Sequence, residues 1–202
     1  MSLIVKNTSG PKLPLPEEGS YAALCVMLVD IGIQHVKYKD AEKDVPQVVI
    51  VWELAGETVE IGNDVVPRTV SKTYTLSLHD RSGLRKDLKS WRGREFTEEE
   101  LLSFNLCNIL GAPCMIQIVH NKTETGVYAN IASIMSIPRG MQKPVAQTPL
   151  VAFDIDTAEE DELENLPNWL KEKVRTSETW IARNAGKLSE EPDEENDEDI
   201  PF

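Results

Sequence analysis

From Gly19 the chain runs apolar as far as Val36. Ala22, Leu24, Val26 and Leu28 alternate, and Ile31 and Ile33 continue less regularly across Gly32. Alternation at period two predicts a strand with one buried face, and a glycine inside it predicts a bulge or kink. Residues 37–46 are polar and read as a loop. Gln47 to Leu54 is a β-branched run holding Trp52 and predicts a second strand. Gly56 to Pro67 reads as a second loop, with Gly62-Asn63-Asp64 as its turn. Thr69 to His79 then alternates sharply, with Tyr74, Leu76 and Leu78 on one face and Thr73, Thr75, Ser77 and His79 on the other.

Past Ser82-Gly83 the period changes. Leu84, Leu88 and Trp91 recur at helical spacing, and Gly93 is placed to close that helix. Thr97-Glu98-Glu99-Glu100 is a capping box that opens a second short helix. Strands follow at Cys114–His120 and Val127–Ile137, ended by Pro138 and Gly140. Three strands, a helical insert and two more strands predict an all-β fold with a helical insert. That is the order of a five-stranded oligonucleotide/oligosaccharide-binding (OB) barrel, in which a helix between the third and fourth strands covers one barrel end. Residues 1–18, with Pro11, Pro14 and Pro16, read as an extended arm before the barrel at 19–140. A polar linker at 141–162 precedes a short helical segment at 163–188. There Pro167 sits early in one helix, Leu166, Leu170 and Val174 share a side, and Ser177 caps a further turn with Trp180 and Ile181.

Charge changes this picture. The formal net charge is −13, but residues 189–202 carry eight carboxylates and no Lys or Arg. Such a block repels itself, stays solvated and is expected to be disordered. The stretch from Arg68 to Arg94 holds eight basic residues against Asp80 and Asp87. Acidity in a tail and basicity in one part of the body is a cue for nucleic-acid contact. No run of about 18 apolar residues exists to cross a membrane, and the first 19 residues lack the pattern of a signal peptide, so a cytoplasmic protein is expected. Cys25, Cys107 and Cys114 form no C-x-x-C pair and are expected to be reduced, buried small hydrophobes. Their spacing to His35, His79 and His120 gives a zinc site no support, and no cofactor is expected.

Single strands are held by a basic groove along the phosphates and by aromatic rings that stack bases, at roughly 1–3 kcal/mol per base. The candidates for stacking are Tyr38, Tyr74, Trp91 and Tyr128. Core packing is an equal alternative for Tyr74, and Trp91 continues the Leu84/Leu88 face. The phosphate candidates are Lys37, Lys39, Arg68, Lys72, Arg81, Arg92, Arg94 and Lys122. Arg85, Lys86 and Lys89 read equally as a solvated helix face. At the end of the tail, Asp197-Glu198-Asp199-Ile200-Pro201-Phe202 puts an apolar anchor after an acidic run. Pro201 stiffens it, and a pocket beside an Arg or Lys would read it. Catalysis has little to stand on. His79-Asp80 are neighbours on a presumed strand and so face opposite ways, and Glu98-Glu99-Glu100 fits a capped helix start. No phosphate loop, H-E-x-x-H or nucleophile elbow is present.

Several stretches together resemble a family of phage-encoded single-stranded DNA-binding, replication-associated proteins. They are Gly19-Ser20-Tyr21 through Val29-Asp30-Ile31-Gly32, Val51-Trp52-Glu53-Leu54, Thr75-Leu76-Ser77-Leu78-His79, Leu84-Arg85 with Trp91-Arg92-Gly93-Arg94-Glu95-Phe96-Thr97, Tyr128-Ala129-Asn130-Ile131 and Leu166-Pro167-Asn168-Trp169-Leu170. The tip separately resembles that of bacterial single-stranded DNA-binding proteins. The resemblance implies an OB-fold binder in phage DNA metabolism whose tip engages host replication or repair proteins. Self-association is expected on avidity grounds, with no motif for it. The alternative is an adaptor that uses the tip and the Trp169/Trp180 segment without binding DNA.

Eight carboxylates near a basic groove compete with phosphate at low ionic strength. Removing residues 189–202 is therefore expected to tighten single-strand binding and to weaken the dependence on salt that arises from this competition. Identical isotherms for the two chains at low and high salt would contradict that.

Overall fold

The computed structural model describes residues 13–38 and 41–188. The chain forms two compact units. One takes the chain up to Leu28 together with Val48–Ala152, and the other takes Val29–Gln47 together with the chain from Phe153. These boundaries fall inside strands, and the last of them, Ala152/Phe153, lies within the 141–162 stretch expected to be a linker.

The strands of the sheet are β1 (Gly19–Tyr38), β2 (Ala41–Ile61), β3 (Asp64–Thr75), β4 (Pro113–Thr123) and β5 (Gly126–Met135). They lie side by side in the order β3-β2-β1-β4-β5, and the short β6 (Val151–Phe153) pairs with β1 off this path. β1 runs antiparallel to β4, with Tyr21 opposite Ile116 and Ala23 opposite Cys114. β4 runs antiparallel to β5, with Ile116 opposite Ile134 and a bulge after Gln117 that leaves Ala132 unmatched. The fold is thus mostly β, built on a curled antiparallel sheet of five strands with a few helices.

Between β3 and β4 come α1 (Gly83–Arg92), α2 (Glu98–Leu102) and a 3-10 turn at Leu106–Ile109. α1 forms where its sequence says it should. The Ser82 hydroxyl accepts from the Arg85 N–H at the start, and Gly93 takes the left-handed conformation at the end, at φ 67°. The Thr97/Glu100 capping box opens α2 as expected. Leu84, Leu88 and Trp91 point into the core, where they meet Ala23, Cys25, Ile50, Trp52, Tyr74, Cys114, Ile116 and Ile134.

In the second unit, α4 (Asn168–Arg175) and α5 (Glu178–Leu188) follow α3 (Glu160–Glu164). Leu163, Leu166, Leu170 and Val174 are fully buried, and Phe153 packs on Trp180 at 6.2 Å between ring centres. Pro167 precedes α4, and the Ser177 hydroxyl accepts from the Trp180 N–H at 3.2 Å, both as the sequence requires.

Three expectations need correction. Among the described residues, 37–38, 41–46 and most of 56–67 are strand and not loop. The strands run through them and leave a turn at Gly62-Asn63, with Gly62 at φ 65°. Their polarity belongs to exposed ladder. In the first hairpin His35 and Lys37 of β1 pair across the strands with Glu42 and Asp44 of β2, at 2.7 to 3.6 Å. Second, residues 141–162 contain β6 and the acidic α3 and are not a bare linker. Gln147 and Thr148 donate their backbone N–H groups to the buried Glu53 carboxylate at 2.7 to 3.2 Å, which ties this segment to β2. Third, Cys107 is exposed on the 3-10 turn, while Cys25 and Cys114 are buried as expected. Burial pushes the Cys25 thiol up to about 12.

Gly32 gives a test of the second unit. It sits at φ +68°, and an added Cβ would lie 2.7 Å from Ile155 Cδ1 and 2.9 Å from Thr179 Cβ. Gly56 has a similar φ of +79° with nothing within 4 Å. Gly56→Ala is expected to cost only the left-handed backbone penalty, roughly 1–2 kcal/mol. Gly32→Ala adds overpacking and is expected to cost about 2–4 kcal/mol in urea denaturation; equal costs at the two sites would contradict this packing.

Candidate nucleic-acid interface

The side chains of the β4–β5 ladder divide by register. Cys114, Ile116, Ile118 and His120 lie on the core-facing parity, and Gln117, Val119 and Asn121 on the outer one. Tyr128 stands opposite Asn121 and Asn130 opposite Val119, so both are on the outer face of β5. On β3, Thr69, Ser71, Thr73 and Thr75 form an exposed hydroxyl row, while Val70 and Tyr74 turn inward. Between β3 and β5 lies a groove of about 220 Å³, with Val70, Ile118 and Ile131 in its floor and Thr69, Ser71 and Asn130 on its rim.

The segment before β1 runs along this groove. Leu15 and Pro16 line it. The Arg68 guanidinium donates to the Pro14 carbonyl at 2.6 Å, and His120 Nε2 donates to the Pro16 carbonyl at 2.8 Å. The His120 backbone N–H also donates to Glu18 at 2.6 Å. Arg68 is thus a strap holder in this fold, and its Nε lies buried with no hydrogen-bond partner.

Most of the basic stretch from Arg68 to Arg94 is engaged within the chain. Lys72 pairs with Asp87 at 2.6 Å, and the same carboxylate accepts from the Tyr74 hydroxyl at 2.8 Å. Arg85 donates to the Leu78 carbonyl at 3.1 Å, and Lys89 pairs with Glu95. Arg92 pairs with Glu100 and lies against the rings of Phe96 and Phe104, at 4.3 and 5.0 Å from their centres. Arg94 gives both its terminal nitrogens to Glu100, at 2.6 and 2.9 Å. The Arg94 guanidinium, then the Thr97 backbone N–H and Arg92, hold the Glu100 carboxyl down at about 2.

Two stacking candidates are corrected outright. Tyr74 and Trp91 are each 5% exposed, so no base can reach their rings. Burial, then the Asp87 carboxylate, pushes the Tyr74 phenol far up, which keeps it a neutral donor. Trp91 packs on Trp52 at 5.9 Å and donates its Nε1–H to the Pro113 carbonyl at 2.9 Å. The phosphate candidates Lys72 and Arg92 are likewise committed to carboxylates in part-buried settings.

Among the stacking candidates with described side chains, Tyr128 stays open, 46% exposed, with its hydroxyl 3.0 Å from the Thr125 hydroxyl in the β4–β5 turn. Lys122 stands opposite Val127 on the core-facing parity, past the end of the core, and forms no ion pair among the described residues. Arg81 is exposed on the turn between β3 and α1 and also lacks an ion pair among the described residues. Lys37 is on β1 in the second unit, paired with Glu42 at 3.6 Å. Tyr38 ends β1, with a side chain outside the description, and Lys39 and the tip Asp197–Phe202 lie outside the described residues.

The sequence reading missed the groove's rim, Thr69, Ser71 and Asn130. The alternation through Thr73 and Thr75 was the available signal, and it continues upstream along the same face of β3. His79 and Asp80 are not on a strand at all. β3 ends at Thr75, and in the turn His79 Nδ1 meets Asp80 at 2.6 Å. Among the described residues, no group of three or more His, Cys, Asp or Glu is placed to hold a metal ion, and no helix is long and apolar enough to cross a membrane. No protein-family model matches the chain, and no curated protein matches its sequence.

Glu100 gives a pH test of the α1–α2 junction. Its carboxyl lies at about 2 in the folded chain against an ordinary 4.5. A depressed folded value contributes stability above the unfolded value and loses it as pH falls through the folded one. The expected loss therefore falls between about pH 4.5 and pH 2. Glu100→Gln should be less stable at neutral pH and flatter across that window; parallel curves for the two proteins would contradict the role given to Glu100.

Proposed function

We propose that this protein is a non-catalytic, sequence-tolerant single-stranded DNA binder with an OB barrel. On this reading it acts in phage or prophage DNA replication and recombination in the host cytoplasm, and its acidic Ile-Pro-Phe tip recruits host replication or repair proteins. The observation that carries the reading is the strand order β3-β2-β1-β4-β5 with α1 between β3 and β4. It is the order an OB barrel has when opened between its third and fifth strands. Such barrels bind strands along the second and third strands and the loop joining the fourth and fifth. Here Lys122 of β4 and Tyr128 of β5 flank that loop, and the third strand carries the hydroxyl row. The fold alone does not fix the ligand. Tyr128 as the base platform, Lys122 and Arg81 as phosphate contacts, and Asn130, Thr69 and Ser71 as hydrogen-bonding groups give the reading its chemistry. The resemblance of the body to phage single-strand binders supports the biological setting.

The structure bounds the strength of this site. Within Arg68–Arg94 most cations are engaged internally, and among the stacking candidates with described side chains only Tyr128 is open, which gives one stacked base. Tight binding then requires several copies on one strand, which agrees with the self-association expected from the sequence.

The test is fluorescence anisotropy of a labelled oligothymidylate at several salt concentrations, with a duplex control. Single-strand binding with weak duplex binding is expected. The slope of log affinity against log salt should be about −1.4 per protomer, for the two phosphate contacts Lys122 and Arg81 at roughly 0.7 each. Tyr128→Ala should weaken binding by about 1–3 kcal/mol, and Trp91→Phe should act on stability and not on the platform. No single-strand binding at any salt would leave the adaptor reading.

A further inference from the structure

A second concave site lies at the other end of β5. Tyr128 is near the start of that strand and Ser136 follows its last residue, so the two are roughly 25 Å apart along it at about 3.3 Å per residue. Around Ser136 opens a cleft of about 410 Å³, inside the roughly 300–1,000 Å³ range of small-molecule sites. Phe104, Ile109 and Ile137 supply apolar wall, and Arg94, Asn108 and Lys143 join Ser136 around it.

The charge and the polar groups point to one ligand chemistry. Arg92, Arg94 and Lys143 stand against the single carboxylate of Glu100, which leaves two net positive charges on the lining. Glu100 engages both arginines, while Lys143 has no ion-pair partner among the described residues. A phosphate monoester carries about −1.5 to −2 at neutral pH and three acceptor oxygens, which matches this excess where a lone carboxylate does not. The Asn108 amide and the Ser136 hydroxyl make no side-chain hydrogen bond among the described residues, so both are free to meet the polar edge of a ring lying on Phe104 and Ile137.

We propose that this cleft binds a nucleotide through its phosphate monoester, with Lys143 and the outer edge of Arg94 on the phosphate and Asn108 and Ser136 on the base. The ligand is either a free nucleoside monophosphate or the 5′-phosphorylated end of a strand. The site goes beyond the groove between β3 and β5 and shares no residue with it.

The experiment is calorimetric titration of the full chain with thymidine 5′-monophosphate and with thymidine, followed by anisotropy with oligothymidylates that carry a 5′-phosphate or a 5′-hydroxyl. Saturable binding of the monophosphate is expected, with thymidine weaker by at least about tenfold, the worth of one charge-assisted contact. Lys143→Ala should weaken the monophosphate by a similar factor and leave the 5′-hydroxyl strand unaffected. Asn108→Leu should weaken the monophosphate while sparing inorganic phosphate. A preference for the 5′-phosphorylated strand that Lys143→Ala abolishes identifies the strand end as the source, and its absence beside monophosphate binding identifies the free nucleotide. The proposal is overturned if the monophosphate does not saturate by millimolar concentration, if thymidine binds equally well, or if Tyr128→Ala and not Lys143→Ala removes binding. It is also overturned if an acidic peptide of residues 190–202 occupies the cleft and the monophosphate does not. The 5′-hydroxyl strand reports on the β3/β5 groove alone, so failure there and failure here are read separately.

Discussion

The fold of the first unit depends on how α1 is pinned to the sheet. Trp91 is the peg. Its ring lies on Trp52 of β2, and its Nε1–H donates to the Pro113 carbonyl at the start of β4. One side chain thus joins the helix to two strands that are distant in sequence. Asp87, one turn earlier, accepts from both Lys72 and Tyr74 of β3 and fixes the helix on the strand that precedes it. With α1 seated between β3 and β4, the chain enters β4 beside β1. The strand order and the gap between β3 and β5 follow from that.

The same pinning explains why a local excess of basic residues does not become an equally basic surface. Lys72 faces Asp87 where α1 is fixed on β3, and Arg92 and Arg94 face Glu100 at the α1–α2 junction. Arg92 lies against two phenylalanine rings and is paired with Glu100, an arrangement that favours guanidinium over ammonium. Among the described residues, the exposed groups outside these pairs include Tyr128 and Lys122 beside the β4–β5 turn, Arg81 beyond β3, Lys86 on α1, and Arg139 and Lys143 past β5. On the proposed reading, affinity built from so few groups would depend on repetition along a strand more than on any single contact.

Much of the fold was legible in the sequence because its signals are local. The Ser82 cap, the Gly93 stop, the Thr97/Glu100 box and the Leu84/Leu88/Trp91 stripe each depend on residues within a turn or two, and each forms where it was expected. The strand extents were not legible. His35, Lys37, Glu42 and Asp44 look like loop residues until they are paired across a hairpin, and pairing is not a local property. The burial and pairing of the candidate site residues were not legible. A tyrosine beside a core stripe and an arginine beside a glycine read as surface chemistry, yet Tyr74 and Arg92 are held inside by Asp87, Phe96, Phe104 and Glu100, partners that lie up to 13 residues away in the chain. The strap of Pro14 and Pro16 on Arg68 and His120 joins residues 54 and 104 positions apart and left no mark in the sequence.

The central claim is that a single strand lies along the groove between β3 and β5. Hydrogen–deuterium exchange of the full chain, with and without saturating oligothymidylate, tests it most directly. The account predicts slowed exchange in Asp64–Thr75 and in the β4–β5 turn through Ile131, with little change in α1. Protection confined to α1 and α2, or no change in β3 and β5 under conditions where the strand is bound, would contradict it.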